Sequence, residues 1–234
     1  MKINNPFLKL TRFETLLWLT SVTVIFISSL FSGAEGLISG LASIIGVTAL
    51  IFVAKGMITG QILCIIFALM YGIISLCFRY YGEAFTYIGM SLPMAVVSLF
   101  AWLKHPYKDA DEVTVAHLSG KKVFLVISTS LLATIVFYFI LRWLDTPNLI
   151  VSTVSITTSW AACLLTLLRS PYYAVAYSLN DLVLILLWSN QTFTDFSCIP
   201  LVCCFIMFLA NDLYAFYNWK RMQKLQSDDQ EDSL

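Results

Sequence analysis

Two aspartates, Asp181 and Asp212, each follow an asparagine inside a nearly unbroken apolar run, so Asn180-Asp181 and Asn211-Asp212 are the groups most able to do chemistry. A carboxylate held among lipid tails costs at least ~2.5 to 3.5 kcal/mol, and a helix keeps one where it faces a polar cavity. Of fourteen acidic residues only these two fall well inside apolar spans, Glu14 standing at the entrance of the first. They imply the lining of a solute pathway through an integral membrane protein. Tyr173, Tyr177 and Trp188 share a helical stripe with Asn180 or Asp181, while Asn211, Tyr214 and Asn218 recur at i, i+3 and i+7. Two such stripes, if opposed, clamp a solute between them. Trp160, well inside its span, joins the candidates; Gln61, near a span end, is a weaker one.

Each candidate is weighed against a plainer role. Buried Asn also joins helices through hydrogen bonds worth ~0.6 to 2 kcal/mol. Trp18, Trp102, Trp143, Trp188 and Trp219 all lie near span ends, where tryptophan commonly anchors a helix at the membrane interface.

The elements that must carry these residues follow from composition. The chain is 59% hydrophobic and 12% charged, against about 25% charged in a soluble domain, with a mean hydropathy of +0.82. Its 234 residues hold about eight spans of roughly 20 residues with short connections and no separate soluble domain. The spans read as 13–31, 37–54, 60–78, 84–103, 123–141, 149–168, 171–188 and 196–217. The first runs too long for a cleaved signal peptide and is expected to be retained. Eight spans put both termini on one side, and twelve of the fourteen Lys and Arg residues fall there, leaving only Arg79 and Arg142 opposite. That distribution marks the terminal side as cytoplasmic.

The one long connection, 104–122, mixes Lys108, Asp109, Asp111, Glu112, Lys121 and Lys122 and holds both histidines, His105 and His117. It reads as a solvated linker, since no third histidine or nearby cysteine completes a metal site. The tail from Ser227, with four acids in eight residues, reads as disordered. Gly36, Gly40 and Ser43 on the second span, and Ser152, Ser155 and Ser159 on the sixth, read as small faces for close helix approach. Pro93 should bend the fourth span. The six cysteines lack metal-ligand spacing and read as packing.

Laid on itself at an offset of about 114, the chain aligns Lys55-Gly56 with Arg169-Ser170 and, with three residues inserted, Trp102 with Trp219. This divides it into an N-terminal segment with an extra helix (1–36), a three-helix repeat (37–104), a loop and linker helix (105–148), a second three-helix repeat (149–222) and an acidic tail (223–234). One span between two triplets gives them the same orientation, the parallel-repeat plan of small-solute transporters.

Val53-Ala54-Lys55-Gly56, Tyr80-Tyr81-Gly82-Glu83, Leu92-Pro93-Met94 and Trp102 resemble the first half of the PnuC family, bacterial transporters of nicotinamide riboside. The second half is similar through Arg169-Ser170-Pro171-Tyr172-Tyr173, Asn180-Asp181, Asn211-Asp212-Leu213-Tyr214 and Asn218-Trp219. The resemblance covers roughly 37–222. It implies an all-α, three-plus-one-plus-three fold related to the sugar-transporting SWEET proteins, facilitated diffusion of nicotinamide riboside inward, trapping by a cytoplasmic kinase, a trimer, and no cofactor. Where many members carry a tryptophan before the asparagine of the seventh span, this chain has Tyr172, Tyr173, Ala176 and Tyr177; where the first triplet is often polar, it has Phe67, Tyr87 and Ala95. The implied solute is a flat pyridinium cation with a carboxamide and a ribose. A cation over an aromatic ring gains about 0.5 to 2 kcal/mol, and Asn180, Asp181, Asn211, Tyr214, Tyr177, Tyr173, Trp160, Asp212, Asn218 and Trp188 are the expected contacts.

Rival classes find little footing. Ser119-Gly120-Lys121-Lys122 lacks the upstream glycine and following Ser/Thr of a phosphate-binding loop, and neither HExxH nor GxSxG occurs. An aspartyl-type enzyme using Asp181 and Asp212 would want flanking glycines that are missing. Transport of a sugar or another nucleoside through the same fold, and a non-transporting membrane subunit, stay open at this point.

Overall fold

The computed structural model describes residues 5–30, 33–77, 84–108, 112–146, 148–192 and 199–231. Arg79, Tyr80, Tyr81, Gly82, Glu83, Asp109, Asp111 and Cys198 lie outside the described residues. Long apolar runs broken only by short polar turns become eight helices: α1 Arg12–Leu30, α2 Gly33–Ala54, α3 Ile58–Cys77, α4 Phe85–Leu103, α5 Gly120–Trp143, α6 Leu149–Leu167, α7 Tyr172–Thr192 and α8 Ile199–Glu231. Six are long and apolar enough to cross a membrane, and α2 and α3 add the shorter apolar stretches Gly40–Ala54 and Ile58–Ile74. In lipid a helix satisfies its own backbone, which is why such sequences adopt it. The peripheral helix α5 turns Phe124, Leu132 and Ile135 outward.

Within the triplet α2–α3–α4, neighbours pack in sequence, and so do those of α6–α7–α8; between the triplets, α2 meets α8 and α4 meets α6. The same contacts are made twice at the end of the molecule that bears the termini. Helix α2 ends with Gly56 at φ 66°, whose N–H bonds Val53 O at 2.8 Å while Met57 N–H bonds Phe52 O at 2.9 Å. Helix α6 ends the same way, with Arg169 at φ 55°, Arg169 N–H on Thr166 O and Ser170 N–H on Leu165 O, both at 3.0 Å. This pair of bonds closes a helix through one left-handed residue, a conformation that suits glycine and strains arginine. The structure thus aligns Gly56 with Arg169, one position from the register read off the Lys55-Gly56 and Arg169-Ser170 pairs. The carbonyls that take the first of these bonds each accept a second, crossing bond. Trp219 Nε1 donates to Val53 O at 2.9 Å, and Trp102 Nε1 donates to Thr166 O at 3.0 Å. Both indoles are fully buried with ring centroids 5.5 Å apart. The belt-anchor reading of Trp102 and Trp219 is therefore corrected: they sit between the triplets because a carbonyl there needs their N–H. Trp143, by contrast, is exposed on α5.

The 104–122 connection is not a free linker. Its segment 112–118 runs across both helix ends, Val113 N–H bonding Gly56 O and Ala116 N–H bonding Arg169 O, each at 2.9 Å. Gln226 holds it from the other side, its Oε1 accepting from Val115 N–H at 2.7 Å and its Nε2 donating to Val113 O at 3.2 Å. Val113 and Val115 are buried as a result. The disordered tail expected from 223 is corrected by the same contacts: α8 continues to Glu231, and Asp229 meets Tyr107 and Lys108. A helical extension gives Gln223 and Gln226 the spacing to grip the strap.

The extra helix α1 packs on α2 and α8. Glu14 caps its start, accepting from Thr11 N–H at 2.6 Å, then pairs with Lys55 Nζ at 3.0 Å and accepts from Tyr214 OH at 2.6 Å. Higher up, Trp18 Nε1 donates to Thr48 Oγ1 at 3.0 Å. Gly40 makes the approach of α1 and α2 possible, since a Cβ there would lie 2.3 Å from Ser29 Oγ.

Candidate functional site

Between the triplets lies a cavity of about 570 Å³, within the range of about 300–1,000 Å³ usual for small-molecule sites. It reaches from Leu144, Thr146 and Asn148, in the α5–α6 connection, down to Gln61, Thr166 and Tyr173. Tyr173 forms its floor, the ring set edge-on to Trp219 with centroids 5.0 Å apart. The α7 wall presents Tyr173, Tyr177, Asn180, Asp181, Leu184 and Trp188, which recur every three or four residues and so share one helical face. Asp212 reaches in from α8, with Phe205 and Phe208 above it.

Asp181 and Asp212 are buried and hydrogen-bond each other. Such a bond needs a proton on one carboxyl, so the pair presents one negative charge at most. Asp181 Oδ2 and Tyr173 OH have no partner among the described residues although both are buried. An orphaned acceptor and an orphaned hydroxyl in one chamber are what a site for a polar solute leaves behind when viewed without it. Asn180 is held by Ser155 Oγ and Thr158 Oγ1, which donate to its Oδ1 at 2.9 and 3.0 Å. That fixes the orientation of its amide. Tyr177 OH meets Cys163 Sγ at 3.3 Å. No Lys, Arg or His appears among the described lining residues, and no group of metal ligands occurs among the described residues.

Of the ten residues singled out from sequence, the structure gathers Tyr173, Tyr177, Asn180, Asp181, Trp188 and Asp212 around the chamber. The other four face elsewhere. Asn211 is fully buried on the α1 side of α8, its Nδ2 donating to Ser21 Oγ at 3.0 Å. Tyr214 serves Glu14, and Asn218 Nδ2 donates to Ala54 O at 2.9 Å. Trp160 is not among the lining residues and packs against the buried cluster of Met90, Ala133, Phe137, Leu141 and Ile156. Their misassignment has a common physical cause. Helix α8 touches α1, α2 and α7, so a polar residue on it has three buried directions to choose from.

Sequence reasoning also passed over lining residues. Ser152, Ser155 and Ser159 line the chamber rather than a dry helix contact, while Gln61, the weaker candidate from sequence, is almost fully buried and lines it too. The three-and-four spacing of the serines was the available signal. Phe67, Tyr71, Thr86, Tyr87 and Ser91 make the first-triplet wall.

Residues 36–221 match the family described as nicotinamide mononucleotide transporter. A nicotinamide riboside transporter PnuC from Neisseria mucosa is 25% identical over 225 residues, which is 93% of this chain and 84% of that protein. A crystal structure of the vitamin B3 transporter PnuC superposes with a TM-score of 0.79 at 24% identity, covering 93% of this chain and 94% of the other. At that identity the likeness speaks for the fold, and it agrees with an all-helical membrane protein.

Proposed function

The chain belongs to the nicotinamide mononucleotide transporter family, and from that premise we propose that it carries nicotinamide riboside inward across the cell membrane by facilitated diffusion. It is a transporter and not an enzyme, which disposes of the aspartyl-enzyme alternative. The observation that carries the solute assignment is the charge of the chamber: a carboxyl pair and no described basic residue. Unit charges 6 Å apart interact by about 3 kcal/mol at an effective dielectric constant of about 20. A pyridinium cation gains from that field, whereas the phosphate of a mononucleotide would be repelled with no cation to receive it. The riboside rather than the mononucleotide fits.

The chamber's other groups suit the remaining parts of the molecule. Tyr173 and Tyr177 offer ring faces and hydroxyls, while Asn180 with Ser152 and Ser159 offers partners for the carboxamide and ribose. Two like-oriented triplets, in a three-plus-one-plus-three arrangement, would rock about this site to expose it alternately. The end bearing the termini is cytoplasmic on the charge distribution, so the chamber as it stands reaches the outer side. A kinase acting on the delivered riboside would supply direction, and the protein would work as a homo-oligomer, a trimer by analogy with its family.

Uptake of labelled nicotinamide riboside into liposomes holding the purified chain tests this. Uptake above empty liposomes, blocked by unlabelled riboside but not by the mononucleotide, is the expected result. Uptake equal to empty liposomes, or blocked equally by plain ribose, defeats the assignment.

A further inference from the structure

The first-triplet wall of the chamber is built by a departure from regular helix. Phe85–Ser91, the opening of α4, is π-helical, and Leu92 N–H closes it on Tyr87 O. Single π turns inside helices recur at functional sites because they re-aim side chains. Here the wider turn brings Thr86 and Ser91, five residues apart, onto the same cavity face as Tyr87. Packing holds the turn where it is: Gly72 of α3 lies so near that a Cβ would stand 2.4 Å from Ile88 Cγ1. The result is a close aromatic pair. Tyr71 and Tyr87 have centroids 4.5 Å apart and planes inclined at 47°, with Phe67 5.6 and 5.8 Å away. All three line the chamber and none is fully buried.

We propose that the Tyr71–Tyr87 pair is the seat of the pyridinium ring, held there by cation–π attraction while the carboxyl pair across the chamber supplies the counter-charge. The inference rests on the nicotinamide riboside reading above and assigns its ring end to α3 and α4, leaving the ribose toward Asn180 and the α6 serines. An aromatic face attracts a desolvated cation beyond what its area alone would give. A neutral ring of the same shape receives only the packing part. The Tyr pair therefore discriminates by the charge of the ring.

The test is a binding titration of the purified full chain with nicotinamide riboside and with its neutral 1,4-dihydro form, for the natural protein and for Tyr87→Leu, Tyr87→Phe and Tyr71→Leu. The natural protein should prefer the cation several-fold. Tyr87→Leu should weaken the cation about tenfold and the neutral form less than threefold, while Tyr87→Phe, which keeps the ring, should stay within threefold of the natural protein. Equal losses for both ligands, no loss in the leucine variants, or a phenylalanine variant as weak as the leucine one overturns the proposal. So does a natural protein indifferent to ring charge, a result that needs no variant to fold. If the natural protein binds neither form, it is the transport assignment itself that has failed.

Discussion

The two ends of the interface between the triplets are built on opposite rules. Near the termini the triplets repeat each other: Gly56 and Arg169 close their helices alike, Trp219 and Trp102 cross to Val53 O and Thr166 O, and one strap bonds both turns. In the chamber the same register sets Asn180 against Phe67 and Asp181 against Ala68. One wall is amide and acid where its counterpart is phenyl and methyl. The difference teaches what symmetry is for. Backbone carbonyls at the two helix ends are identical groups with identical needs, so both repeats keep the same solution. A solute with a charged ring at one end and a sugar at the other has no two-fold symmetry, and the walls facing it diverge.

Five substitutions would break or sharpen that contrast. Gly60→Ala should do the most harm, because its Cβ would fall 2.5 Å from Val53 N, a backbone atom in the adjoining turn that cannot step aside. A loss of about 3 kcal/mol or more is expected, seen as a collapsed melting temperature in detergent. Gln226→Ala should follow. It strips partners from Val115 N–H and Val113 O, two buried groups worth about 1–3 kcal/mol each, so melting should drop markedly while the riboside affinity of the folded fraction holds.

Asp181→Asn should show the reverse pattern. The substitution breaks the carboxyl pair and leaves any charge to Asp212 alone while the volume at 181 stays, so riboside affinity should fall about tenfold with the melting temperature little changed. Unchanged affinity would return Asp181 to a structural role. Smallest of all, Trp219→Phe and Trp102→Phe should each cost about 1 kcal/mol, since Val53 O and Thr166 O keep their turn bonds. Equal penalties measured by thermal denaturation would support the shared register; sharply unequal ones would not.

How much of this was legible in the sequence follows from what each signal depends on. The eight spans were readable because burial in lipid is a property of a run of residues, and every observed helix overlaps its expected span. Asp181 was readable because an acid at that depth has few tolerable surroundings. Asn211 and Tyr214 were misread because helix α8 is buried on several sides and sequence spacing does not say which side holds Ser21 or Glu14. The α6 serines were taken for a packing face since a small polar residue serves packing and binding equally well. The π turn of α4 left no periodic trace, as one extra residue in a turn alters no composition. The grip of Gln226 on the strap depended on a contact between residues 111 positions apart.

A structure determined with saturating nicotinamide riboside tests the central claim most directly. The account predicts density between the two triplets, the ring end against Tyr87 and the charge within reach of Asp181. Density lying on the outer surface, or a chamber left empty while titration shows the protein saturated, would contradict it.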